Sequence, residues 1–338
     1  MIEAIETGPH QYHPYNGYPA LREALAKHYA PYYSVLGRDL DPDTEILPVA
    51  GGVAGLYCTL MSLILEGDEI VTFEPFWSGF INIANAAGAV LKGVPLNLVK
   101  DIESKTITWE YDFDQLEQTL SEKTKILMLI NPQSPGGRVF TEEEIVKITE
   151  IIERKSPNCF VLSDDVYDFC KFEAEKEYIG FANYKDNFER TITVNNAGKR
   201  FACTGWKIGW VIGPKDIMAR ITHYHESAIW NFNILAQIAM SKCLAGEADK
   251  EYEGHANYYD YIKHTYSSVN KGLTEVFQKS KLPVYPCIVE GGFSMTLEIS
   301  EVEPMIPEKY FEEDYTDDPK ILKRIFPDHK VPLDVAFC

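Results

Sequence analysis

A lysine, Lys199, stands in the segment NNAGKRFACTGWKIGW (residues 195–210), after a β-rich run and a flexible Ala-Gly pair. A lysine amine in a dry pocket near a second cation becomes nucleophilic and suited to condensation with a carbonyl compound. Lys207, eight residues further on, is a candidate for that cation. The alternative is an ordinary surface lysine. Whether Lys199 is a reactive amine or a surface lysine depends on which residues surround it in the fold.

Two aspartates lie at the end of another β-rich run, CFVLSDDVY (residues 159–167). While such a strand stays extended, Asp164 and Val166 share one face, and Asp165 and Tyr167 share the other. A buried aspartate at this point needs a cationic partner. A solvated strand end is the alternative.

Two glycine-containing segments also follow predicted strands. In AGGVAGLY (residues 50–57), Gly51 and Gly52 open a predicted helix, where free backbone N–H groups would face an anion such as phosphate; a simple tight turn is the alternative. NPQSPGGRVF (residues 131–140) contains two prolines and two glycines, which predict an irregular loop. Ligands of open α/β sheets bind beyond the carboxyl ends of the strands, so these segments are candidates for one site.

The elements that must position these residues alternate between strands and amphipathic helices from about residue 45 to 214, which predicts βαβ units and a largely parallel sheet. The predicted strands cover 69–75, 89–96, 125–132, 159–167, 190–196 and 206–214. Thr141 and Glu144 form a predicted capping box for a helix over 141–155, and Asp112 begins another over 112–120. Longer helices follow Pro214, and a new β-rich piece, 291–300, begins a second, smaller domain.

Composition excludes several classes of protein. The 338 residues are 45% hydrophobic, enough for a sizeable core, and the net charge of −19 disfavours nucleic acid and anionic membranes as partners. The seven cysteines show no CxxC spacing, and no leader sequence is recognisable, so we expect a cytoplasmic protein without a metal site. The uncharged run over 46–65 is better explained by a strand, a glycine turn and a buried helix than by a membrane span.

Four motifs, taken in order, resemble one family. They are GG at a helix start, NPxxPxG, SDxVY, and AGK followed eight residues later by the lysine of GWKIGW. This order is similar to the class I/II aminotransferases among the fold-type-I pyridoxal-phosphate (PLP) enzymes. EPFW, NNAGKRFACTGWKIGWVIGP and EGGFSMTLEIS look most like the branch of kynurenine transaminases and cysteine-S-conjugate β-lyases. The resemblance covers essentially the whole chain.

The resemblance implies a role for each matching residue. Lys199 would hold PLP covalently and move a proton between the substrate and the cofactor. Asp164 would pair with the pyridine nitrogen, and Tyr167 would hydrogen-bond the phenolic oxygen. The remaining cofactor-binding positions are Val166 and Trp77 on the two faces of the ring, Ser134 at the oxygen, and Gly52, Val53, Asn196 and Lys207 at the phosphate.

A homodimer is also implied. Tyr12 matches a tyrosine that reaches the phosphate of the neighbouring subunit, and Trp230 and Asn231 match residues presented to the partner's substrate; Ser134 would contact substrate as well. The implied fold is α/β, with a three-layer large domain around a mostly parallel sheet and an incomplete small α+β domain. The implied boundaries are 1–13 for an N-terminal remnant with dimer contacts, 14–247 for the PLP-binding domain, 248–281 for a connecting helix and 282–338 for the partial small domain.

The chain departs from the family at several positions. Ser134 replaces an asparagine, Asn196 a hydroxyl residue and Val53 an aromatic or polar residue, so we expect a weaker hold on the cofactor. The family's opening segment would precede Met1, and its carboxylate-binding arginine would follow Cys338; neither Arg138 nor Arg200 takes that position.

Three functions follow from the resemblance. The first is transamination of kynurenine or of aromatic, glutamine-like or sulfur-containing L-amino acids, with a 2-oxo acid as acceptor. The second is a catalytically impaired homologue that dimerises and binds PLP. The third is β-elimination from cysteine conjugates.

Overall fold

A computed structural model describes residues 1–172 and 178–306. The helices are α1 (Ile2–Thr7), α2 (Pro19–Tyr29), α3 (Gly52–Leu63), α4 (Gly79–Ala86), α5 (Phe113–Thr119), α6 (Glu142–Lys155), α7 (Ala197–Arg200), α8 (Lys215–Ile229), α9 (Ile234–Leu244) and α10 (Tyr258–Lys279). The strands are β1 (Ile46–Val49), β2 (Glu69–Glu74), β3 (Val90–Pro95), β4 (Asn97–Asp101), β5 (Thr106–Glu110), β6 (Thr124–Ile130), β7 (Phe160–Asp164), β8 (Thr191–Asn196), β9 (Gly209–Ile212), β10 (Tyr285–Pro286) and β11 (Leu297–Glu298).

Seven strands form one sheet in the order β1-β9-β8-β7-β6-β2-β3. Strand β9 pairs antiparallel with both β1 and β8, whereas the pairs β8–β7, β7–β6, β6–β2 and β2–β3 are parallel. Six strands therefore point the same way, and their carboxyl ends meet at one edge of the sheet. The predicted mostly parallel sheet is confirmed.

Helices cover both faces of this sheet because its strands alternate apolar side chains between two cores. Helices α3, α4 and α8 pack on one face, in a core that includes Leu47, Leu56 and Ile70. On the other face, α2 and α9 pack near Ile46, and α5 and α6 pack near Val71. The result is the three-layer α/β architecture that the sequence predicts.

The predicted helices and strands are recovered with small shifts in their bounds. The capping box of α6 forms between Thr141 and Glu144, and the uncharged run over 46–65 is a strand, a glycine turn and a helix. Within residues 1–172 and 178–306, no helix is both long and apolar enough to cross a membrane.

Three details differ from the prediction. Strand β7 ends at Asp164 rather than at 167, because the chain turns there. The β4–β5 hairpin is not foreseen, and the β-rich piece over 291–300 contributes only β11. The predicted connecting helix over 248–281 contains α10, and most of the predicted small domain, from 307 onward, lies outside the described residues.

Candidate active site

A cavity of about 320 Å³ opens at the carboxyl ends of β1, β6, β7 and β8. Its size suits a small organic ligand. Ten of the predicted site residues line it together: Gly52, Val53, Trp77, Ser134, Asp164, Val166, Tyr167, Asn196, Lys199 and Lys207. The sheet thus brings together residues that are as far apart as 155 positions in the chain, from Gly52 to Lys207.

Asp164 lines this cavity from the last position of β7. Its Oδ1 is buried and finds no hydrogen-bond donor among the described residues. Burial raises the pKa of Asp164 to about 7, although a hydrogen bond from the Val166 N–H and the charge of Lys199 both lower it. A buried carboxyl oxygen without a hydrogen-bond donor destabilises the folded protein. A ligand in the cavity that donates a hydrogen bond to this oxygen would remove that cost.

Lys199 reaches the cavity from the short helix α7, which follows β8 directly. Asn196 caps this helix, because its Oδ1 accepts a hydrogen bond from the Lys199 N–H at 2.8 Å. The Lys199 Nζ lies 4.9 Å from the ring centroid of Phe293, a favourable cation–aromatic contact. The Lys199 amine is therefore positioned by the cap on its backbone N–H and by the contact of its Nζ with Phe293.

The glycine segment and the lysine segment form one cradle beside the amine. Gly51 has φ +89, which L side chains rarely adopt, and precedes the first turn of α3. Gly209 lies against this turn so closely that a Cβ there would be 2.7 Å from the backbone of Gly51 and Gly52. Lys207 lines the same space. Free helix N–H groups and a lysine make an anion-binding site.

Tyr167 and Ser134 also line this cavity. The Tyr167 hydroxyl and the Ser134 hydroxyl are hydrogen-bonded, and burial raises the pKa of Tyr167 to about 12, with the charge of Asp164 acting in the same direction. Tyr167 remains a neutral hydrogen-bond donor at physiological pH. Because the chain turns after Asp164, the side chains of Asp164, Val166 and Tyr167 all reach one cavity, which a strand extended to 167 would not allow.

Two arginines near the site are bound elsewhere. Arg200 forms an ion pair with Asp168, and Arg138 forms ion pairs with Glu144 and Glu290. Both guanidinium groups are thus engaged in ion pairs, and the expectation that neither takes the place of the carboxylate-binding arginine stays a prediction.

Three predicted site residues do not line the cavity. Tyr12 is 79% exposed and Trp230 is 55% exposed. Asn231 exchanges hydrogen bonds with the backbone of His13 at 2.9 and 3.2 Å, which brings these three residues near one another on the surface. Their contact with a neighbouring subunit remains a prediction.

Sequence reasoning missed several residues at the site. Thr204, Ile130 and Ile208 line the cavity, and Phe293 contacts both the Lys199 amine and, edge to face at 4.7 Å, the Tyr167 ring. Thr204 stands in the motif that contains Lys199, so proximity in sequence could have identified it. Phe293 follows Gly291 and Gly292, which mark a tight approach of the chain.

PLP requires three features that the cavity provides. Its aldehyde needs a primary amine, its ring nitrogen needs an acid, and its phosphate needs an anion site. Lys199, the Asp164 oxygen that has no donor among residues 1–172 and 178–306, and the cradle of Gly51, Gly52 and Lys207 supply them within one cavity. The residues present therefore fit the cofactor.

Comparison with known proteins gives the same result. The family model for aminotransferase class I and II matches residues 3–306. The kynurenine–oxoglutarate transaminase of Dictyostelium discoideum is 34% identical over 75% of this chain and 59% of its own length. Kynurenine–oxoglutarate transaminase 1 of Mus musculus is 28% identical over 88% of this chain and 69% of its own length.

A solved structure supports the fold. The N-succinyldiaminopimelate aminotransferase of Mycobacterium tuberculosis superposes with a TM-score of 0.78 at 26% identity, covering 100% of this chain and 80% of that one. The chain thus spans roughly three fifths to four fifths of the length of these three proteins. Together, the cavity and the matching family model show that this chain belongs to the class I and II aminotransferases, a family of PLP-dependent enzymes.

Proposed function

We propose that this chain transfers the amino group of an L-amino acid to a 2-oxo acid, with kynurenine and aromatic, glutamine-like or sulfur-containing amino acids as donors. The observation that carries the proposal is the shared cavity of Lys199 and Asp164, in which Oδ1 of Asp164 has no donor among the described residues. The kynurenine–oxoglutarate transaminases among the relatives support the donor class.

The bound cofactor supplies an electron sink that stabilises negative charge at the substrate's Cα. The protein's residues do the rest. Asp164 would keep a proton on the ring nitrogen, since an opposite charge in a buried site favours the protonated form. Tyr167, neutral at physiological pH, donates a hydrogen bond from its hydroxyl. The cradle of Gly51, Gly52 and Lys207 anchors the phosphate.

Lys199 has two tasks in this proposal. Its Nζ would hold the cofactor before substrate arrives, and the same amine would then take the proton released from the substrate's Cα and pass it to the cofactor. Both tasks require the amine to stay close to the reacting atoms, and a small displacement would slow proton transfer strongly. The cap by Asn196 and the contact with Phe293 hold the amine in place.

We also propose a cytoplasmic homodimer. Tyr12, Trp230 and Asn231 support this arrangement because the first two are exposed and the third is held close to Tyr12 through its bonds to His13. In this proposal they complete the site of the neighbouring subunit, and Ser134 lies where the substrate carboxylate approaches.

The test is direct. The parent protein with PLP should be yellow, should lose that colour when an L-amino acid is added, and should form the matching oxo acid. Lys199→Ala should abolish the visible absorbance of covalently bound PLP, whereas Lys125→Ala, on β6 and outside the cavity lining, should leave it unchanged. Covalent PLP at another lysine would overturn the site assignment.

A second candidate is an impaired homologue that binds PLP without turnover. It is favoured by Ser134, whose short side chain is hydrogen-bonded to Tyr167 and offers one donor where an amide would offer two. Steady-state assays of the parent and of Ser134→Asn separate the two candidates. Measurable transamination by the parent excludes impairment; activity only in the asparagine variant would support it. Release of pyruvate and a thiol from a cysteine conjugate would instead identify β-elimination.

A further inference from the structure

The residue after Lys199 is a buried arginine that the proposed chemistry does not use. The Arg200 side chain is 1% exposed, and its Nη2 lies 2.5 Å from Oδ1 of Asp168, whose side chain is 2% exposed. The same Nη2 donates to the Tyr29 hydroxyl at 3.0 Å. The guanidinium carbon also lies 5.2 to 5.9 Å from four aromatic ring centroids, those of Tyr29, Phe169, Trp210 and Tyr259.

The other oxygen of Asp168 is fully engaged as well. Its Oδ2 accepts hydrogen bonds from Asn195 Nδ2 at 2.8 Å and from the Tyr29 hydroxyl at 3.1 Å. Asn195 Nδ2 also donates to the backbone oxygen of Asp165 at 2.7 Å. The pair is thus dry and both oxygens of its carboxylate are satisfied, whereas Arg200 Nε finds no acceptor among the described residues. Several hydrogen bonds to one buried carboxylate hold the pair in a fixed geometry.

This ion pair joins the two segments that carry the reactive groups. Arg200 is the chain neighbour of Lys199 on α7, and Asp168 is the chain neighbour of Tyr167 in the turn after β7. Breaking the pair would free α7, a helix of only four residues, to move against that turn. The pair therefore lies where a small displacement of α7 would move Lys199 away from Asp164 and Tyr167.

We propose that Arg200 and Asp168 are positioning residues: their buried ion pair fixes α7 against the turn after β7 and so places the Lys199 amine relative to Asp164 and Tyr167. The inference rests on the proposed role of Lys199 in holding the cofactor. A buried ion pair is weak evidence for stability alone, because apolar replacements of the same volume are often equally stable. In this proposal the ion pair sets the relative positions of α7 and the turn after β7.

The test measures cofactor attachment rather than turnover. In this step the Lys199 amine condenses with the aldehyde of PLP and one water molecule leaves. The double variant Arg200→Met/Asp168→Asn removes both charges and should unfold at about the temperature of the parent. It should attach PLP about tenfold more slowly or worse, since displaced groups lose rate steeply. The pH midpoint of the bound cofactor's absorbance should also shift.

Arg22→Met is the matched control. Arg22 is a buried arginine of α2 whose hydrogen bonds go to Pro42 and Asp43, away from the cavity lining. It should attach PLP at the parental rate with an unchanged pH midpoint, whatever its effect on stability. A double variant that attaches PLP at the parental rate would overturn the proposal.

If the double variant does not fold, Arg200→Lys replaces it. Lysine keeps the charge but lacks the planar fork that contacts Asp168 and Tyr29 together. Attachment should be slower than in the parent, and a parental rate would again overturn the proposal. Because attachment requires no substrate, the result stands whether or not the parent transaminates; absence of transamination would count only against the proposed function.

Discussion

The side-chain oxygen of Asn196 accepts a hydrogen bond from the backbone N–H of Lys199 at 2.8 Å, while Asn196 itself lines the cavity. One side chain therefore serves two purposes. Its oxygen caps the helix that carries the amine, and its Nδ2 stays near Gly52, where a Cβ would be 3.3 Å away. An asparagine at this position is compatible with an anion site, because the amide provides the donor and the cap at once.

Asn196→Ala should weaken PLP binding about tenfold or more, because it removes a donor that would face a charged phosphate, typically worth about 1.5–3 kcal/mol. It should also destabilise the protein by about 1 kcal/mol through loss of the cap. Fluorescence titration with PLP and thermal unfolding check the two effects. Asn196→Ser, which keeps an oxygen that can cap, should recover stability; an alanine variant with parental PLP affinity would contradict the assignment.

Gly209→Ala should destabilise the protein by about 1–3 kcal/mol and weaken PLP binding, because the new methyl group would lie 2.7 Å from backbone atoms of Gly51 and Gly52. Gly205→Ala, in the same motif, is the control, since no heavy atom of the described residues other than its chain neighbours lies within 4 Å of its Cβ position. Chemical denaturation and PLP titration of both variants measure the effect. Equal stability and equal PLP affinity of the two variants would show that the close approach of Gly209 to Gly51 and Gly52 affects neither property.

Asp164→Asn should become more stable relative to the parent as pH rises. Burial raises the pKa of Asp164 from 3.8 to about 7, so between pH 4 and 7 the unfolded chain loses this proton before the folded protein does, and the parent loses stability. The variant's advantage should grow over that window, to at most about 4 kcal/mol, and level off above pH 7. Burial lowers the pKa of His28 to about 3 and of His225 to about 4, which acts in the opposite direction, so only the difference between variant and parent isolates Asp164.

Denaturant unfolding of the cofactor-free proteins at pH 5, 6 and 8 provides the measurement. Burial also raises the pKa of Asp165 to about 7, so Asp165→Asn should show the same trend. Only Asp164→Asn should weaken PLP binding, because Asp165 does not line the cavity. A stability difference that stays the same from pH 5 to 8 would mean that Asp164 is not held protonated by burial.

Tyr167→Phe should reduce transamination about tenfold to a hundredfold, because it removes a buried hydroxyl that stays protonated up to a pKa of about 12 and can donate to the cofactor. The fold should be retained, since the ring keeps its edge-to-face contact with Phe293. The absorbance maximum of bound PLP and kcat are the measurements. An unchanged spectrum would show that this hydroxyl does not contact the cofactor.

The sequence predicts the parallel sheet and most of the cavity lining because strand periodicity and glycine turns are local signals. It also places Lys199, Asp164 and Gly52 at strand ends, and parallel strands then bring those ends together. The turn after Asp164 is less predictable, since DDVY is compatible with an extended strand, and only packing against β6 and β8 shows where pairing stops.

Contacts between distant segments could not be predicted. The ion pair of Arg200 with Asp168 joins residues 32 positions apart, and Phe293 contacts Lys199 from 94 positions away. The β4–β5 hairpin was missed as well, because β4 is largely exposed and carries no apolar alternation, and β5, with Thr106 and Ile107 buried, is only five residues long. The periodicity of a sequence indicates which face of a helix or strand is buried, but it does not indicate which distant residues pack against that face.

The strand order has a consequence for synthesis on the ribosome. Among the described strands, β1 pairs only with β9, so the segment that begins the cradle at Gly51 waits for a strand made 160 residues later. A nascent chain that ends before Ile212 lacks that partner strand. PLP should therefore bind only late in synthesis, after β9 has been made, and the yellow colour of bound PLP would mark chains whose seven-stranded sheet is complete.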